Sequence, residues 1–209
     1  MILGKRVFSY DEANFKQESM SVIMKQDELI KRLFGNSNEE LQYQVLWNKL
    51  YPKELIENIR LKKTASEDTD FNLQVFLQSE SAILINTEMY YWMQHSTSIT
   101  HSGINKRFVY ILDSYYDMYQ SIPPQNEIYR AYCIYKLYKR ILNTRYYANM
   151  TEQKKYAKDL TKKIKERTWS DFWNNKYLKL SQKITISCLY YFPFLYTIFM
   201  KLMEHKAKS

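Results

Sequence analysis

Three runs within residues 45–100 decide how this chain is read: VLWNKLYPKELI at 45–56, SEDTDFNLQVF at 66–76 and ILINTEMYYWMQHSTSIT at 83–100. The middle run opens with the acidic pair Glu67-Asp68 and continues with Phe71, Leu73, Val75, Phe76 and Leu77. That spacing predicts a helix that buries its apolar side and keeps the acids at its N-terminus, where the helix dipole favours an ionised carboxylate. An acidic pair at a helix start is also what ordinary capping and a solvated face produce. AILINT at 82–87 is predicted to be a strand and residues 89–93 another. Upstream, apolar and charged residues alternate at helical spacing over 18–34, with Ile23, Leu29, Ile30 and Leu33 on one side. Gly35 is predicted to stop that helix, and a second is predicted over 39–51, ended by Pro52. KRVFSY near the start is a short strand candidate.

The charge is unevenly spread. The 209 residues carry a formal net charge of +9. Residues 1–102 hold 11 Lys and Arg against 14 Asp and Glu, and residues 103–209 hold 20 against 8, so the halves stand at −3 and +12. A basic half implies an anionic partner: nucleic acid, an anionic membrane or an acidic substrate. Composition and charge change together near Ser102, which is read as a domain boundary between 1–102 and 103–209. Glycine is scarce, with three in all, and neither a G-x-G-x-x-G nor a Walker pattern is present. Cys133 and Cys188 stand in separate apolar helical contexts without metal-ligand spacing, which reads as buried free thiols in a reducing compartment. The N-terminal MILGKRVFSYDE lacks the apolar stretch of a signal peptide, so the expected location is the cytoplasm.

Beyond Gly103 the periodicity is helical throughout. One helix is predicted over 105–120, a break at Ser121-Ile122-Pro123-Pro124, a second helix over 127–147, and a third, rich in Lys, over 152–167 after a cap at Thr151. Tyr and Lys interleave over 129–147 as stacking sites on nucleic acid would require, yet the same spacing suits a bundle core, and no recognised nucleic-acid module is visible. ITISCLYYFPFLYTIFM at 184–200 carries no charge and has Pro193 at its middle, with Lys176, Lys179 and Lys183 before it and Lys201, Lys206 and Lys208 after it. A segment at about 184–203 with basic flanks and aromatic residues suits a helix lying at a membrane interface; a buried bundle helix and a short span are the other two readings.

The order of the three opening runs resembles the second half of the catalytic domain of family 2 glycosyltransferases, of GT-A type, especially those that build bacterial capsule and other surface polysaccharides. The resemblance covers about the first half of the chain. It implies a fold that is mainly α with a small α/β portion: an incomplete GT-A-like acceptor half followed by a C-terminal helical region. It further implies inverting transfer of a sugar from a nucleotide sugar to a lipid-linked or growing glycan, on the inner face of the cell membrane. Asp68 falls on the family's catalytic base, with Glu67 beside it for acceptor binding or orientation. Trp47, Asn48 and Lys49 fall on the family's W-N-K element and are expected to shape the acceptor side. Ser98 falls on the Ser that helps to hold the donor diphosphate.

The chain departs from the family pattern in two places. Met93 stands where the pattern has an Arg, and a thioether cannot give a diphosphate the bidentate charged hydrogen bonds of a guanidinium. His95, two residues on, offers a hydrogen-bond donor or a metal ligand, and a lone imidazole in a Tyr-rich turn also has an ordinary structural reading. The family's nucleotide-binding half, with its Asp-x-Asp element for Mg²⁺ or Mn²⁺, has no counterpart: some 35 residues precede the Gly35 break, fewer than several βαβ units need. Asp68-Thr69-Asp70 has the Asp-x-Asp form but overlaps the base motif. The expectation is therefore an acceptor-side part that works with a separate donor-half chain, or an inactive, membrane-associated interaction protein derived from such an enzyme.

Overall fold

A computed structural model describes residues 1–7, 21–35, 42–62, 65–91, 107–148 and 154–206. The chain is mainly helical with a small α/β part and divides into two compact units, Met1–Gly103 and Ile104–Ser209.

The first unit is built on a four-stranded sheet. Its strands are β1 (Ile2–Val7), β2 (Ser21–Lys25), β3 (Lys49–Leu50) and β4 (Ser81–Tyr91), in the spatial order β2-β4-β1-β3. β1 runs parallel to β4, while β2 and β3 pair antiparallel at the two edges. Helices α1 (Gln26–Leu33), α2 (Lys53–Ile56) and α3 (Glu67–Gln78) complete the unit. α1 packs on α3 and on β2 and β4, burying Leu29, Ile30 and Leu33 against Leu73, Val75 and Phe76. Gln26 fastens this layer. Its side-chain amide nitrogen lies 2.9, 3.1 and 3.0 Å from the carbonyls of Phe76, Leu77 and Ser79 at the end of α3, where carbonyls run short of helical partners.

The sheet departs from the sequence reading in three ways. Residues 21–25 form strand β2 instead of the first turns of a helix over 18–34; pairing with β4 in a sheet overrides the local helical spacing, and Ile23, expected on the apolar side of that helix, is exposed. The helix expected over 39–51 is helical only at 42–44 among its described residues, then turns into β3. The cause is local: the Lys49 amine takes the carbonyls of Gln42 and Val45, and Asn48 Nδ2 also donates to Gln42 at 3.1 Å, so side chains hold acceptors that a continuing helix would need. The two strands expected over 82–87 and 89–93 are one strand up to Tyr91, with irregular register opposite Gly4–Arg6.

The second unit is a helical bundle of α4 (Arg107–Ser121), α5 (Glu127–Ala148), α6 (Lys154–Asn174), α7 (Leu180–Tyr191) and α8 (Pro193–Lys206). α5 touches all four of the others. Its stripe of Cys133, Ile134, Leu137, Tyr138 and Ile141 is buried, and Tyr138 shares a 3.0 Å hydrogen bond with Thr168 and sets its ring, tilted, 4.5 Å from that of Phe172 of α6. The Pro123-Pro124 break is closed by Arg130, which donates to the carbonyls of Tyr119 and Ile122 at 3.2 and 3.0 Å and lies 4.0 Å over the Tyr119 ring. α6 runs seven residues beyond the expected 167, because Thr168 and Phe172 continue its buried face. Cys133 is buried as expected, whereas Cys188 is exposed on α7. The apolar segment at 184–200 is not one helix. It breaks at Phe192, and α7 and α8 meet at 103°. Pro193 opens α8 at a position where its missing N–H is no loss. Among the described residues no single helix is long and apolar enough to cross a membrane.

Candidate functional site

The site suggested by the sequence forms where α3 begins. Glu67 and Asp68 open that helix, and Asp70 follows in the same turn. Ser66, which precedes them, has φ 69° and ψ 29° and makes no capping hydrogen bond with its side chain. A left-handed backbone at a residue with a β-carbon costs about 1–2 kcal/mol. The strain falls at the residue that delivers the acidic pair, and the rest of the fold holds it there.

Asn72, one turn into α3, joins the acidic end to the Trp47-Asn48-Lys49 turn. Its side-chain amide donates to the carbonyls of Gln44, Val45 and Asp68 at 3.0, 3.2 and 2.9 Å, and its oxygen accepts the Tyr51 hydroxyl at 2.8 Å. The Tyr51 ring also meets Phe71 edge-on, with centroids 5.6 Å apart. The two runs, some 20 residues apart in sequence, are thus one unit in space. Glu67, Asp68 and Trp47 are half-buried; Asn48 and Lys49 are buried.

Lys49 is the electrostatic centre of this corner. Its amine donates to Gln42 O at 2.7 Å, to Asn48 Oδ1 at 2.9 Å and to Val45 O. Burial pushes the amine down to about 7, and the carboxylate of Asp68 opposes that shift. Burial also pushes the Tyr51 hydroxyl far above its ordinary value, with the charge of Asp68 adding to the effect. The charge of Asp68 thus acts on a buried amine and on a half-buried phenol. The arrangement can hold a carboxylate at a helix start beside a proton-bearing group that titrates near neutrality, as general acid–base chemistry requires.

Other positions are engaged structurally. The carboxylate of Asp70 is buried, pairs with Lys62 at 3.0 Å and accepts Gln74 Nε2 at 3.0 Å. This commitment makes Asp68-Thr69-Asp70 a poor cradle for Mg²⁺ or Mn²⁺, and among the described residues no three His, Cys, Asp or Glu side chains converge on a metal position. Met93, His95 and Ser98 lie outside the described residues. Tyr51, Ser66 and Asn72 were not singled out from sequence. The usable signal for Asn72 was a polar amide set inside the apolar run FNLQVF.

No family model, no curated protein and no solved structure matches the chain.

Proposed function

We propose that the first unit is the acceptor side of a family 2-type glycosyltransferase, with Asp68 as the base that takes the proton from an acceptor hydroxyl. The incoming oxygen then displaces the nucleotide diphosphate from the anomeric carbon with inversion. Glu67 orients the acceptor. Trp47, Asn48 and Lys49 shape the wall beside it, Lys49 through the charge it places near Asp68. The partners of this reading are a nucleotide-sugar donor, a lipid-linked glycan acceptor, an anionic membrane surface at the cytoplasmic face and a donor-binding part supplied by a separate chain. Mg²⁺ or Mn²⁺ belongs to that donor part.

One observation carries the reading: Asn72 brackets the acidic pair and the Trp47–Lys49 turn into a single corner, which joins two runs of the resembled pattern in space. Calorimetric titration of the 209-residue chain with a nucleoside diphosphate and Mn²⁺, with Asp68→Asn alongside, is the first test. The acceptor-side reading expects no binding by the chain alone. With a separate donor-half chain supplied, it expects sugar transfer that falls by about 10²–10⁴ in Asp68→Asn. Transfer by the isolated chain at an ordinary enzymatic rate would sink the divided-enzyme reading, and full activity of Asp68→Asn would remove Asp68 as the base.

A second reading is favoured by the outer face of the sheet. Ile23, Ile83, Ile2 and Leu50 are register neighbours across all four strands, and Ile23 and Leu50 are 73% and 60% exposed. A parallel strand pair normally has both faces covered. An inactive subunit that docks another protein on this face, and is membrane-associated through its second unit, accounts for that surface without catalysis.

A further inference from the structure

The second unit carries a cleft of about 250 Å³ at the elbow between α7 and α8. Its floor is apolar, from Leu142, Ala157, Leu189 and Pro193. Three cations line it, Arg145 on α5 and Lys154 and Lys158 on α6. Among the described residues no carboxylate does, and none of the three cations takes part in the ion pairs found among those residues. Tyr196 completes the wall, and its hydroxyl bonds Asn143. Arg145 is preset: Nη1 donates to the Tyr190 carbonyl at 2.8 Å, and the guanidinium lies 4.3 Å from the centre of the Tyr190 ring. An amphipathic cavity of this make-up matches a group with an anionic head and an apolar body.

The two helices that form the elbow turn apolar residues outward. On α8, Phe194, Ile198 and Leu202 recur every four residues and are all exposed, with Leu195 and Phe199 beside them, while Tyr196 points inward. On α7, Leu180, Ile184 and Tyr191 form a second exposed stripe, with Ile186 buried. A bend of 103° between helices of 12 and 14 residues does not suit a straight span. It suits two short helices lying in a headgroup layer with their stripes toward the acyl chains.

We infer that the elbow cleft binds the phosphate headgroup of an anionic lipid while the stripes of α7 and α8 rest in the bilayer surface. Lys154, Lys158 and Arg145 would pair with the phosphate, and the apolar floor would take the first carbons of the lipid. Charge complementarity selects lipid over an apolar protein partner: three cations, with no lining carboxylate among the described residues, sit beside exposed apolar stripes. The inference deepens the membrane-surface part of the function proposed above and is independent of sugar transfer.

The test is co-sedimentation of the full chain with vesicles of pure phosphatidylcholine and with vesicles holding about one third phosphatidylglycerol. Wild type should bind the anionic vesicles at least about tenfold more tightly. Lys154→Gln/Lys158→Gln should lose most of that preference and keep the residual binding to phosphatidylcholine. Lys155→Gln/Lys162→Gln removes the same charge from exposed positions of the same helix outside the cleft and should retain the preference. Phe194→Ser/Ile198→Ser should lose binding to both vesicles; if it binds like wild type, the membrane-surface reading fails as a whole. If the two lysine pairs behave alike, the effect is diffuse surface charge and the headgroup cleft is overturned. If inorganic phosphate binds the chain saturably and lipid does not compete with it, the cleft serves a soluble phosphate and the lipid assignment is overturned.

Discussion

Asn72, which has no exposed surface, donates its side-chain amide to the carbonyl of Gln44 at 3.0 Å and so ties α3 to a turn 28 residues earlier in the chain. The same amide serves the carbonyls of Val45 and Asp68. Truncation would strand buried acceptors together with the Tyr51 hydroxyl, at a cost of about 1–3 kcal/mol for a buried group left unpaired. Asn72→Ala is expected to lose about 3 kcal/mol. Tyr51→Phe removes one bond and leaves one acceptor, and should lose about 1 kcal/mol. Urea unfolding of both variants checks the order. Equal losses would mean that the bracket is not centred on Asn72.

The buried amine of Lys49 gives this corner a defined pH response. Its proton affinity is lowered from the ordinary 10.5 to about 7 by burial. Below pH 7 both folded and unfolded chains hold the proton, and the folded state bears the cost of a buried charge. Between about 7 and 10.5 the unfolded chain still holds the proton that the folded chain has released, so stability rises with pH through that window. The slope is at most about 1.4 kcal/mol per pH unit. Lys49→Met abolishes this response. The difference in unfolding free energy between wild type and Lys49→Met should move in favour of wild type from pH 6 to pH 9, and chemical denaturation at each pH measures it. A flat difference would show that the Gln42, Val45 and Asn48 acceptors keep the amine charged.

What could be read from the sequence, and what could not, divides along the range of the forces involved. A helix was legible over 70–78, because Leu73, Val75 and Phe76 repeat their burial within one element; the structure starts it three residues earlier, at the acidic pair itself. The first three helices after Gly103 were legible for the same reason, save for the far end of α6, while the break between α7 and α8 was not; the change of charge near Ser102 lies beside the division of the chain at Gly103. β2 was not legible: residues 21–25 read as helix until β4 is present to pair with them. Nor was the end of the helix at 42–44, which depends on where the Lys49 amine goes. The candidate site was half legible. The acids and the Trp47-Asn48-Lys49 turn were visible as motifs, but their bracket, Asn72, and the strained Ser66 are products of tertiary packing.

Arg130 acts on the second unit as Asn72 acts on the first. It closes the turn around Pro123 through two backbone carbonyls, covers the Tyr119 ring and reaches Asp171 at 3.4 Å, while the Tyr119 hydroxyl donates to the same carboxylate at 2.5 Å. Nη1 serves both carbonyls while Nη2 reaches Asp171 and the planar face covers the ring, a division that an ammonium lacks. Arg130→Lys should therefore behave as a loss, not as a conservative change, and lower stability by about 2 kcal/mol. Thermal denaturation followed by circular dichroism reads this directly. A shift in midpoint as small as that of an exposed control such as Lys155→Arg would place the closure of the turn in the prolines alone.

The register of β2 against β4 makes the sharpest prediction about the sheet. Ile23 pairs with Ile83 and Met24 with Ala82, so adjacent residues on one strand face opposite sides. Met24 is 6% exposed, with its sulfur accepting the Tyr43 hydroxyl at 3.4 Å, whereas Ile23 is largely exposed. A cation at position 24 would be buried without a partner and should cost about 3–5 kcal/mol. The same cation at position 23 stays in water and should change stability by less than about 0.5 kcal/mol. If the outer row of Ile23, Ile83, Ile2 and Leu50 is an interaction face, Ile23→Lys should also abolish concentration-dependent association of the chain in sedimentation experiments, since an uncovered apolar sheet face promotes pairing. A slip of one residue in β2 would exchange the two faces. The decisive comparison is therefore between Met24→Lys and Ile23→Lys: equal stability would refute the register, and unchanged association in Ile23→Lys would show that this face does not pair copies of the chain.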